Sequence, residues 1–358
     1  MLVALGLVLA CGAAGPTATA ARPAKATTKP RGKEAAKQRR HAKPVRKGPR
    51  VVRQGRIKIW TIHYRAHSGK RVAAYVLLPA WYGPRNNPPL PLVISPHGRG
   101  VSGQGNAKLW GQLPARGRFA VVNPDGHGRR LPFHSWGYSG QVDDLARMPQ
   151  IIQLTLPWVR IDRSQLFAFG GSMGGQETLL LLARHPRLLA GAAVFDAVTD
   201  LAMQYRRFPL VPCNARCRRE HTQPIGQGLR RLARSEIGGQ PKSVPVAYRV
   251  RSPITYARTI AFSCVPLQMW WSVSDRIVTN QQGQSGRLFW ELRRLNPYAP
   301  VHGFAGFWIH SAAMHAKSGL PYALAAFGLL PQPEGPPNVP GVREVPAPPE
   351  SPGCTTSP

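Results

Sequence analysis

Short apolar segments alternate with helix-forming segments along most of this chain of 358 residues, and that alternation narrows the range of folds more than any other feature. The strand candidates are continuous apolar runs at residues 90–95, 119–122, 166–169, 192–195 and 265–271, with one more starting near residue 300. The helix candidates lie at residues 142–159, 174–184, 282–295 and 321–329. Continuous apolar strands that alternate with helices are typical of a mostly parallel sheet with helices on both faces. The sequence therefore predicts an α/β fold.

Two segments depart from this alternation. Residues 56–64 alternate apolar and polar side chains, residues 72–78 favour a strand, and the turn at residues 68–70 separates them. This pattern predicts an antiparallel hairpin at the start of the domain. Residues 201–260 are instead rich in Arg and Pro and contain two cysteines. We expect them to form a small inserted cap over one end of the sheet.

The segment Gly170-Gly171-Ser172-Met173-Gly174 matches the pattern G-x-S-x-G. It follows one strand candidate and precedes a helix candidate, which is the strand–turn–helix arrangement of a nucleophile elbow. Gly170 and Gly174 stand two positions on either side of Ser172, where the sharp turn needs small residues. The alternative is a Gly-rich turn that binds a phosphate at a helix N-terminus. That reading lacks a Lys after the glycines, so we take Ser172 as the candidate nucleophile.

A serine hydroxyl needs a base, and the base needs an orienting acid, in the chain order Ser, acid, His. Asp275 lies on the loop directly after the strand candidate 265–271 and is the favoured acid. Asp196 stands just past the preceding strand candidate and is the main competitor, while Asp200 lies further from a strand end. Asp275 has the alternative role of capping the helix that follows it.

Three histidines lie downstream of Asp275, at positions 302, 310 and 315. His310 falls on a loop after the last strand candidate, 35 positions beyond Asp275, which leaves room for one helix and one strand. His302 lies in or beside that strand, and His315 falls into the predicted closing helix. We therefore take His310 as the candidate base.

A tetrahedral intermediate carries an oxyanion that needs preorganised donors, commonly two backbone N–H groups. The residue after the nucleophile, Met173, is expected to supply one. The loop Pro96-His97-Gly98-Arg99-Gly100 follows an earlier strand candidate, and we expect the N–H of Arg99 to be the other. The alternative is an ordinary turn that ends the strand.

These motifs together resemble the catalytic domain of the prolyl oligopeptidase (peptidase S9) group of the α/β-hydrolases. Besides the opening hairpin, the matching segments are residues 91–98, 121–126, 169–186, 266–275 and 306–310. The likeness covers about residues 56–330. It implies the α/β-hydrolase fold, with Ser172 as nucleophile, Asp275 as acid and His310 as base.

By this resemblance the chain is a serine hydrolase that cleaves peptide or ester bonds through an acyl-enzyme intermediate, without a metal or an organic cofactor. Three features differ from the oligopeptidases of the group, and one is Ser272, which stands where relatives have a Gly before the acid loop. A basic arm of about 55 residues stands where those enzymes carry a β-propeller, and the loop reads His-Gly-Arg-Gly where many relatives have His-Gly-Gly-Pro. We favour an S9-like peptidase. The alternative is an exported carboxylic-ester hydrolase, and a further alternative is a non-catalytic domain that binds an anionic polymer.

The formal net charge of +33 divides into +11 in residues 1–50 and +22 in residues 51–358. Residues 1–50 hold 12 Lys and Arg and one Glu, and the remaining residues hold 36 Lys and Arg against 14 acidic residues. The charge of residues 51–358 has two explanations. A general composition rich in Arg, Ala, Gly and Pro accounts for it without a selected partner, and selection for binding an anionic partner is the alternative. An anionic cell-envelope polymer fits the basic arm of an exported protein better than nucleic acid does.

The ends of the chain differ in composition from its middle. Residues 16–55 show no apolar periodicity and are expected to be a basic disordered arm, and residues 331–358 contain ten Pro and are expected to be a disordered tail. The catalytic domain is thus expected at residues 56–330.

The first 15 residues resemble an export signal. Residues 2–10 form an apolar run that is too short to span a bilayer and lacks a positively charged start. Cys11 follows Val-Leu-Ala as in a lipoprotein signal, which predicts either lipidation of Cys11 or plain export. In an oxidising compartment, Cys213, Cys217 and Cys264 are candidates for a disulfide. Only His221 accompanies them, so no zinc site is expected.

Overall fold

Ten strands form one sheet in the computed structural model, which describes residues 48–126, 136–212, 225–332, 335 and 337–346. All of these residues belong to one unit of the chain, residues 47–358. The strands are β1 (Arg50–Gln54), β2 (Ile57–Arg65), β3 (Arg71–Pro79), β4 (Leu90–Ile94), β5 (Ala120–Pro124), β6 (Ile161–Gly171), β7 (Gly191–Phe195), β8 (Leu267–Ser272), β9 (Val301–Gly306) and β10 (Arg343–Val345). Their order across the sheet is β1-β2-β3-β5-β4-β6-β7-β8-β9-β10.

The centre of the sheet is parallel and its margins are antiparallel. Strands β5, β4, β6, β7, β8 and β9 run parallel to their neighbours in that order. The pairs β1–β2, β2–β3, β3–β5 and β9–β10 are antiparallel. The predicted hairpin is the pair β2–β3, and the predicted class, a mostly parallel α/β sheet, is confirmed.

The helices are α1 (Gly103–Ala107), α2 (Leu113–Gly117), α3 (Ser139–Ala146), α4 (Met148–Thr155), α5 (Met173–Arg184), α6 (Leu201–Arg207), α7 (Ile225–Ile237), α8 (Pro245–Arg249), α9 (Ala257–Ala261), α10 (Ser285–Leu295) and α11 (Leu320–Ala326). Short 3-10 helices lie at Lys108–Trp110, Phe208–Leu210, Pro253–Tyr256 and Gln281–Gly283. The predicted helix 142–159 is in fact two helices. Arg147 separates α3 from α4, and Pro149 in the first turn of α4 has no N–H to continue a single ladder.

Helices cover both faces of the sheet, and alternate strand residues point to the two sides. Leu92 and Ile94 of β4 belong to a core cluster that includes buried side chains of α3, α4, α5, α9 and α10. Val93, between them, belongs to the cluster that includes side chains of α1, α2 and α11. Burial on both faces is why these strands read as continuous apolar runs in the sequence. Among the described residues, no helix has both the length and the apolar character needed to cross a membrane.

The described part of residues 201–260 is a helical insertion between β7 and β8 that carries α6 to α9. It has its own apolar cluster, in which Leu201, Tyr205, Ala233 and Ile237 pack with Met173 at the start of α5. The insertion therefore contacts the turn between β6 and α5 directly. Its role as a cap stays a prediction.

Two strands lie in segments that we expected to be disordered. Strand β1 falls within residues 16–55 and β10 within residues 331–358. Every side chain of β1 is exposed, and β10 has only three residues. Neither strand has the apolar pattern that marks a buried strand, because each lies at an edge of the sheet and pairs through its backbone with one neighbour.

Candidate active site

Ser172 occupies a strained turn between β6 and α5. Its φ is +58° and its ψ is −124°, a conformation that costs energy for any residue other than Gly. The Ser172 N–H donates to the carbonyl of Phe195 on the neighbouring strand (2.8 Å), and the Ser172 carbonyl accepts from Gln176 N in the first turn of α5 (3.1 Å). The turn is thus held from both the sheet and the helix, which is the arrangement of a nucleophile elbow.

The glycines that flank Ser172 have no room for a side chain. A Cβ on Gly170 would lie 2.3 Å from the carbonyl oxygen of Gly174, and a Cβ on Gly174 would lie 2.3 Å from the carbonyl oxygen of Pro96. Both distances are far inside van der Waals contact with backbone atoms, which cannot rotate away as a side chain can. The G-x-S-x-G pattern is therefore required here by packing.

His310 and Asp275 form a hydrogen-bonded pair at the ends of β9 and β8. Nδ1 of His310 lies 2.7 Å from Oδ2 of Asp275, whose side chain is fully buried. Oδ1 of Asp275 accepts the backbone N–H groups of Ile277 (2.7 Å) and Val278 (3.0 Å). Two backbone donors hold the carboxylate in place, so its position does not depend on the histidine. This geometry matches the orienting acid and the base of a catalytic triad.

The pKa of His310 results from opposing effects. Burial lowers it, but the hydrogen bond and the charge of Asp275, together with the charge of Asp196, raise it above its ordinary value of 6.5. The imidazolium form is thus favoured by two carboxylates. A base that takes a proton from a hydroxyl benefits from such support.

Asp196, the competing acid candidate, has a different set of partners. It follows β7, is fully buried, and accepts N–H groups from the backbone of Ser272 (2.7 Å), the backbone of Ser311 (2.7 Å) and the indole of Trp308 (2.8 Å). Burial first, and then the charge of Asp275, raise the pKa of Asp196 to about 6. Asp275, by contrast, bonds to the His310 ring itself.

The remaining candidates, Asp200, His302 and His315, have other surroundings than the His310–Asp275 pair. Asp200 caps α6, where it accepts the N–H of Met203 (2.8 Å). His302 is on β9, with Nδ1 3.0 Å from a carboxylate oxygen of Glu344 on β10. His315 does not lie in the closing helix as predicted, because α11 begins only at Leu320. It lines the same cavity as His310, and burial lowers its pKa.

A cavity of about 220 Å³ joins the candidate nucleophile to the candidate base. Ser172 and His310 both line it, together with Gly98, Arg99, Val101, Asn106, Leu109, Gly171, Ser311, Met314 and His315. The cavity is of a size that accepts a small acyl or side-chain group. The serine and the histidine, 138 positions apart in the sequence, therefore face one space.

The loop after β4 passes beside the nucleophile. A Cβ on Gly98 would lie 3.5 Å from Cβ of Ser172, so the backbone next to Arg99 is close to the candidate nucleophile. Met173 follows Ser172 at the first position of α5 and is buried. These are the two positions from which we expect the oxyanion donors to come.

An ion pair that the sequence did not reveal ties this loop to the insertion. The guanidinium of Arg99 bonds to Glu236 of α7, and both side chains are less than a tenth exposed. Glu236 also accepts the indole N–H of Trp136 (2.7 Å), and the Arg99 guanidinium lies 5.8 Å from the centre of a Trp136 ring. The ion pair spans 137 positions of sequence, so no local pattern could have indicated it.

The cluster of Asp196, Asp275 and His310 also has the composition of a metal site, because their ligand atoms lie within 4.8 Å of one another. The donors already in place argue against one. Asp196 accepts three N–H groups, and Asp275 accepts two backbone N–H groups besides its bond to His310. A cation would have to displace these donors, so the arrangement fits an acid–base pair better than a metal centre.

The cysteines are only partly described. Cys264 is disulfide-bonded. Cys11, Cys213, Cys217 and Cys354 lie outside the described residues, so the predicted pairing and the predicted lipidation stay predictions.

No protein-family model matches the chain. No curated protein sequence matches it either. Solved structures with a similar fold include the acylaminoacyl peptidase of Pyrococcus horikoshii, with a TM-score of 0.56 and 14% identity over 81% of this chain and 43% of that one. A puromycin-hydrolysing peptidase of Mycobacterium tuberculosis gives a TM-score of 0.55 and 19% identity over 80% of this chain and 41% of that one. Carboxyl esterase 2 of the fungus Tuber melanosporum gives a TM-score of 0.55 and 18% identity over 79% of this chain and 87% of that one.

The chain thus spans less than half the length of the two peptidases but nearly the whole length of the fungal esterase. At these identities the likeness establishes the fold, which is that of the α/β-hydrolases. Fold alone does not fix an activity.

Proposed function

We propose that this α/β-hydrolase-fold chain is a serine hydrolase that cleaves an ester or amide bond through Ser172, His310 and Asp275. One observation carries the proposal. Ser172 has the strained φ of +58° at a strand-to-helix turn, and it lines one cavity with His310, whose ring is hydrogen-bonded to Asp275. Energetically costly backbone at the wall of a cavity that the histidine of an acid–base pair also lines is the arrangement expected for a nucleophile.

In this mechanism the Ser172 hydroxyl attacks the substrate carbonyl while Nε2 of His310 takes its proton. Asp275 accepts the Nδ1–H of the same ring and stabilises the imidazolium. The N–H groups of Met173 and Arg99 are the proposed donors to the oxyanion. The imidazolium then protonates the leaving group, and water attacks the acyl-enzyme with His310 as base, which regenerates the serine.

The substrate class has two candidates. The sequence resemblance favours an S9-like peptidase, and the coverage of the fungal carboxylesterase along 87% of its length favours a carboxylic-ester hydrolase. Both use the same acyl-enzyme chemistry, so the proposed catalytic residues serve either substrate.

Labelling with a fluorophosphonate tests the mechanism before any substrate is known. Wild-type protein should become labelled on Ser172, and Ser172→Ala should not. Ser235→Ala is the matched control, because Ser235 is exposed on α7, and it should be labelled like the wild type. Hydrolysis of p-nitrophenyl esters compared with aminoacyl-p-nitroanilides then decides the class. Equal labelling or equal hydrolysis by Ser172→Ala would refute the proposal.

We also propose a binding function, because the positive charge is concentrated in the insertion. Residues 201–260 hold 12 Lys and Arg and two acidic residues, a net charge of +10, whereas the other 248 residues from position 51 onward carry +12. A compositional bias toward Arg would spread the charge evenly. Arg230, Arg231 and Arg234 are exposed on α7, and the last two line an open cavity of about 540 Å³. An acidic cell-envelope polysaccharide suits such a surface.

Binding to alginate, a polyuronate, tests this second function. The triple variant R230Q/R231Q/R234Q should bind more weakly than R53Q/R163Q/R187Q, which loses the same charge from exposed positions elsewhere. Binding should weaken from 50 to 200 mM NaCl because salt screens exposed charges. Equal loss in both triple variants would contradict a localised surface, and stronger binding to duplex DNA than to alginate would contradict the proposed partner.

Finally, we propose that the protein is exported. The apolar run at residues 2–10 motivates this, and the disulfide-bonded state of Cys264 supports it, since disulfides persist mainly in oxidising compartments. Fractionation of cells that express the full chain tests the location. Mass spectrometry of non-reduced peptides identifies the partner of Cys264, and metabolic labelling with a fatty-acid analogue, lost in Cys11→Ala, tests lipidation. A protein found in the cytoplasm with Cys264 reduced contradicts export.

A further inference from the structure

We propose that Asp196 is a positioning residue that holds the His310 loop in its working geometry and places a second negative charge beside the imidazole. This inference rests on the proposed function, since it concerns how the candidate base is held and charged. Asp196 does not line the cavity, and none of its described hydrogen bonds goes to the His310 ring. It would therefore act through its neighbours.

The backbone of Asp196 is itself fixed. The Asp196 N–H donates to the carbonyl of Trp270 on β8 (2.8 Å), and its φ is +48°, in the left-handed region that a non-glycine residue rarely adopts. Such strain persists only where the surroundings impose it. The conformation turns the side chain into the protein interior, where no part of it reaches solvent.

The three donors to this carboxylate come from the segments that carry the acid and the base. Trp308 lies two residues before His310, and Ser311 directly follows it. Ser272 ends β8, three residues before Asp275. One buried carboxylate therefore ties together both loops on which the His310–Asp275 pair depends.

Ser272 strengthens the same connection. Its hydroxyl donates to the carbonyl of Trp308 (2.5 Å) and accepts the Trp308 N–H (2.9 Å). On the other side of His310, Ser311 has a φ of +59°, and its N–H is held by Asp196 (2.7 Å). The loop is thus clamped on both sides of the base, and at Ser311 the clamp holds backbone that would otherwise relax.

The charge of Asp196 also acts on the histidine. Its carboxylate lies within 4.8 Å of the ligand atoms of both Asp275 and His310, and Asp196 itself is fully buried. The other charged or titratable groups that line the cavity with His310 are Arg99, which is paired with Glu236, and His315. The carboxylates of Asp196 and Asp275 therefore dominate the field at the ring. They favour the imidazolium that forms when His310 takes a proton from Ser172.

The variant Asp196→Asn tests the proposal, because the amide has almost the same shape but no charge, and its NH₂ group opposes at least one of the three N–H donors. We expect kcat to fall by roughly 10- to 100-fold with KM changed less than about twofold, since a displaced base costs on that order. The acidic limb of the kcat/KM profile should move to lower pH, because a charge that raises the His310 pKa has been removed.

The control is Asp200→Asn, four residues away, which removes a carboxylate that caps α6 and leaves the His310 loop intact. Its acidic limb should coincide with that of the wild type. A profile of Asp196→Asn that coincides with the wild type, or an unchanged kcat, overturns the proposal. A purely structural role would lower the amount of folded protein without moving the limb.

A second variant keeps the test decisive if Asp196→Asn does not fold. Trp308→Phe removes one donor and keeps the carboxylate, so kcat should fall severalfold. Because the lost N–H lowers the pKa of Asp196, any shift of the acidic limb should have the same direction as in Asp196→Asn. An unchanged kcat in this variant would overturn the proposal. Failure of the proposed function is recognised separately, since wild-type protein would then show no Ser172-dependent labelling at all.

Discussion

Replacing Glu236 by glutamine should destabilise the protein far more than its place on a surface helix implies. Glu236 of α7 pairs with Arg99 on the loop beside Ser172, and only 7% and 8% of the two side chains are exposed. Glutamine keeps the shape and can still accept the indole N–H of Trp136, but it removes the negative charge that the buried Arg99 guanidinium contacts at this position. The variant therefore isolates the electrostatic part of the contact.

The size of the effect follows from this burial. Removing one partner of a buried ion pair costs about 3–5 kcal/mol, because the remaining charge stays desolvated. Since glutamine retains one polar contact, we expect the lower end, about 3 kcal/mol. In a domain of this size each kcal/mol shifts the melting temperature by roughly 2–4 °C, so Tm should fall by about 6–12 °C.

Thermal and urea unfolding followed by circular dichroism measure the change, and Glu291→Gln is the matched control. Glu291 also pairs with an arginine, Arg294, but 33% and 68% of those side chains are exposed, so its loss should cost less than about 1 kcal/mol. If Arg99 supplies an oxyanion donor, the Glu236 variant should also lower kcat. Equal stability losses in the two variants would show that the reasoning about burial is wrong.

Three further changes have clear expected outcomes. Asp275→Asn should lower kcat by about 10⁴-fold on whichever substrate is found, because the His310 ring loses the carboxylate that orients it. Kinetics at saturating substrate check this, and a loss below tenfold contradicts the assignment. Gly174→Ala should lower the free energy of unfolding by at least about 2 kcal/mol, since its Cβ would meet the carbonyl of Pro96. The control Gly228→Ala on α7 has open space around it and should raise that free energy by about 0.5–1 kcal/mol. Equal effects of the two substitutions in urea titrations would refute this. Burial raises the pKa of Glu177 to about 8. The unfolded chain therefore releases the Glu177 proton near pH 4.5, whereas the folded chain releases it only near pH 8. The folded chain binds the extra proton between these values, so the free energy of unfolding falls as pH rises from 4.5 to 8. Glu177→Gln should remove that dependence and be the more stable protein at pH 9, as urea unfolding at pH 5, 7 and 9 will show.

The central strands and the serine turn could be predicted because their signals are local. The apolar run of residues 166–169, the G-x-S-x-G pattern and the helix after it are consecutive, and the turn geometry requires small residues at fixed offsets from Ser172. The positions of Asp275 and His310 followed from chain order and strand ends. The structure brings the Nδ1 atom of His310 to 2.7 Å from Oδ2 of Asp275.

The contacts of buried charges could not be predicted, because they are set by packing between distant segments. Asp196 binds Ser311, 115 positions away, and Glu236 binds Arg99, 137 positions away. In the sequence Asp196 is only an acidic residue at a strand end. The sequence does not distinguish a catalytic acid from a buried carboxylate that connects two loops. The edge strands β1 and β10 could not be predicted for a related reason, since strand pairing through the backbone leaves no pattern in exposed side chains.

Those two edge strands decide how the sheet meets other copies of itself. Unpaired N–H and C=O groups of a sheet are a template for adding another strand, and in the described part of the chain β1 and β10 are the strands at the two edges of this sheet. Strand β1 places Arg50 and Arg53 along one edge, and β10 is too short to pair over more than three residues. Loss of residues 48–54 would expose the unpaired backbone edge of β2, a nine-residue strand that contains Ile59, Trp60 and Ile62. The short, charged strand at the start of the domain therefore protects this edge of the sheet against sheet-to-sheet aggregation.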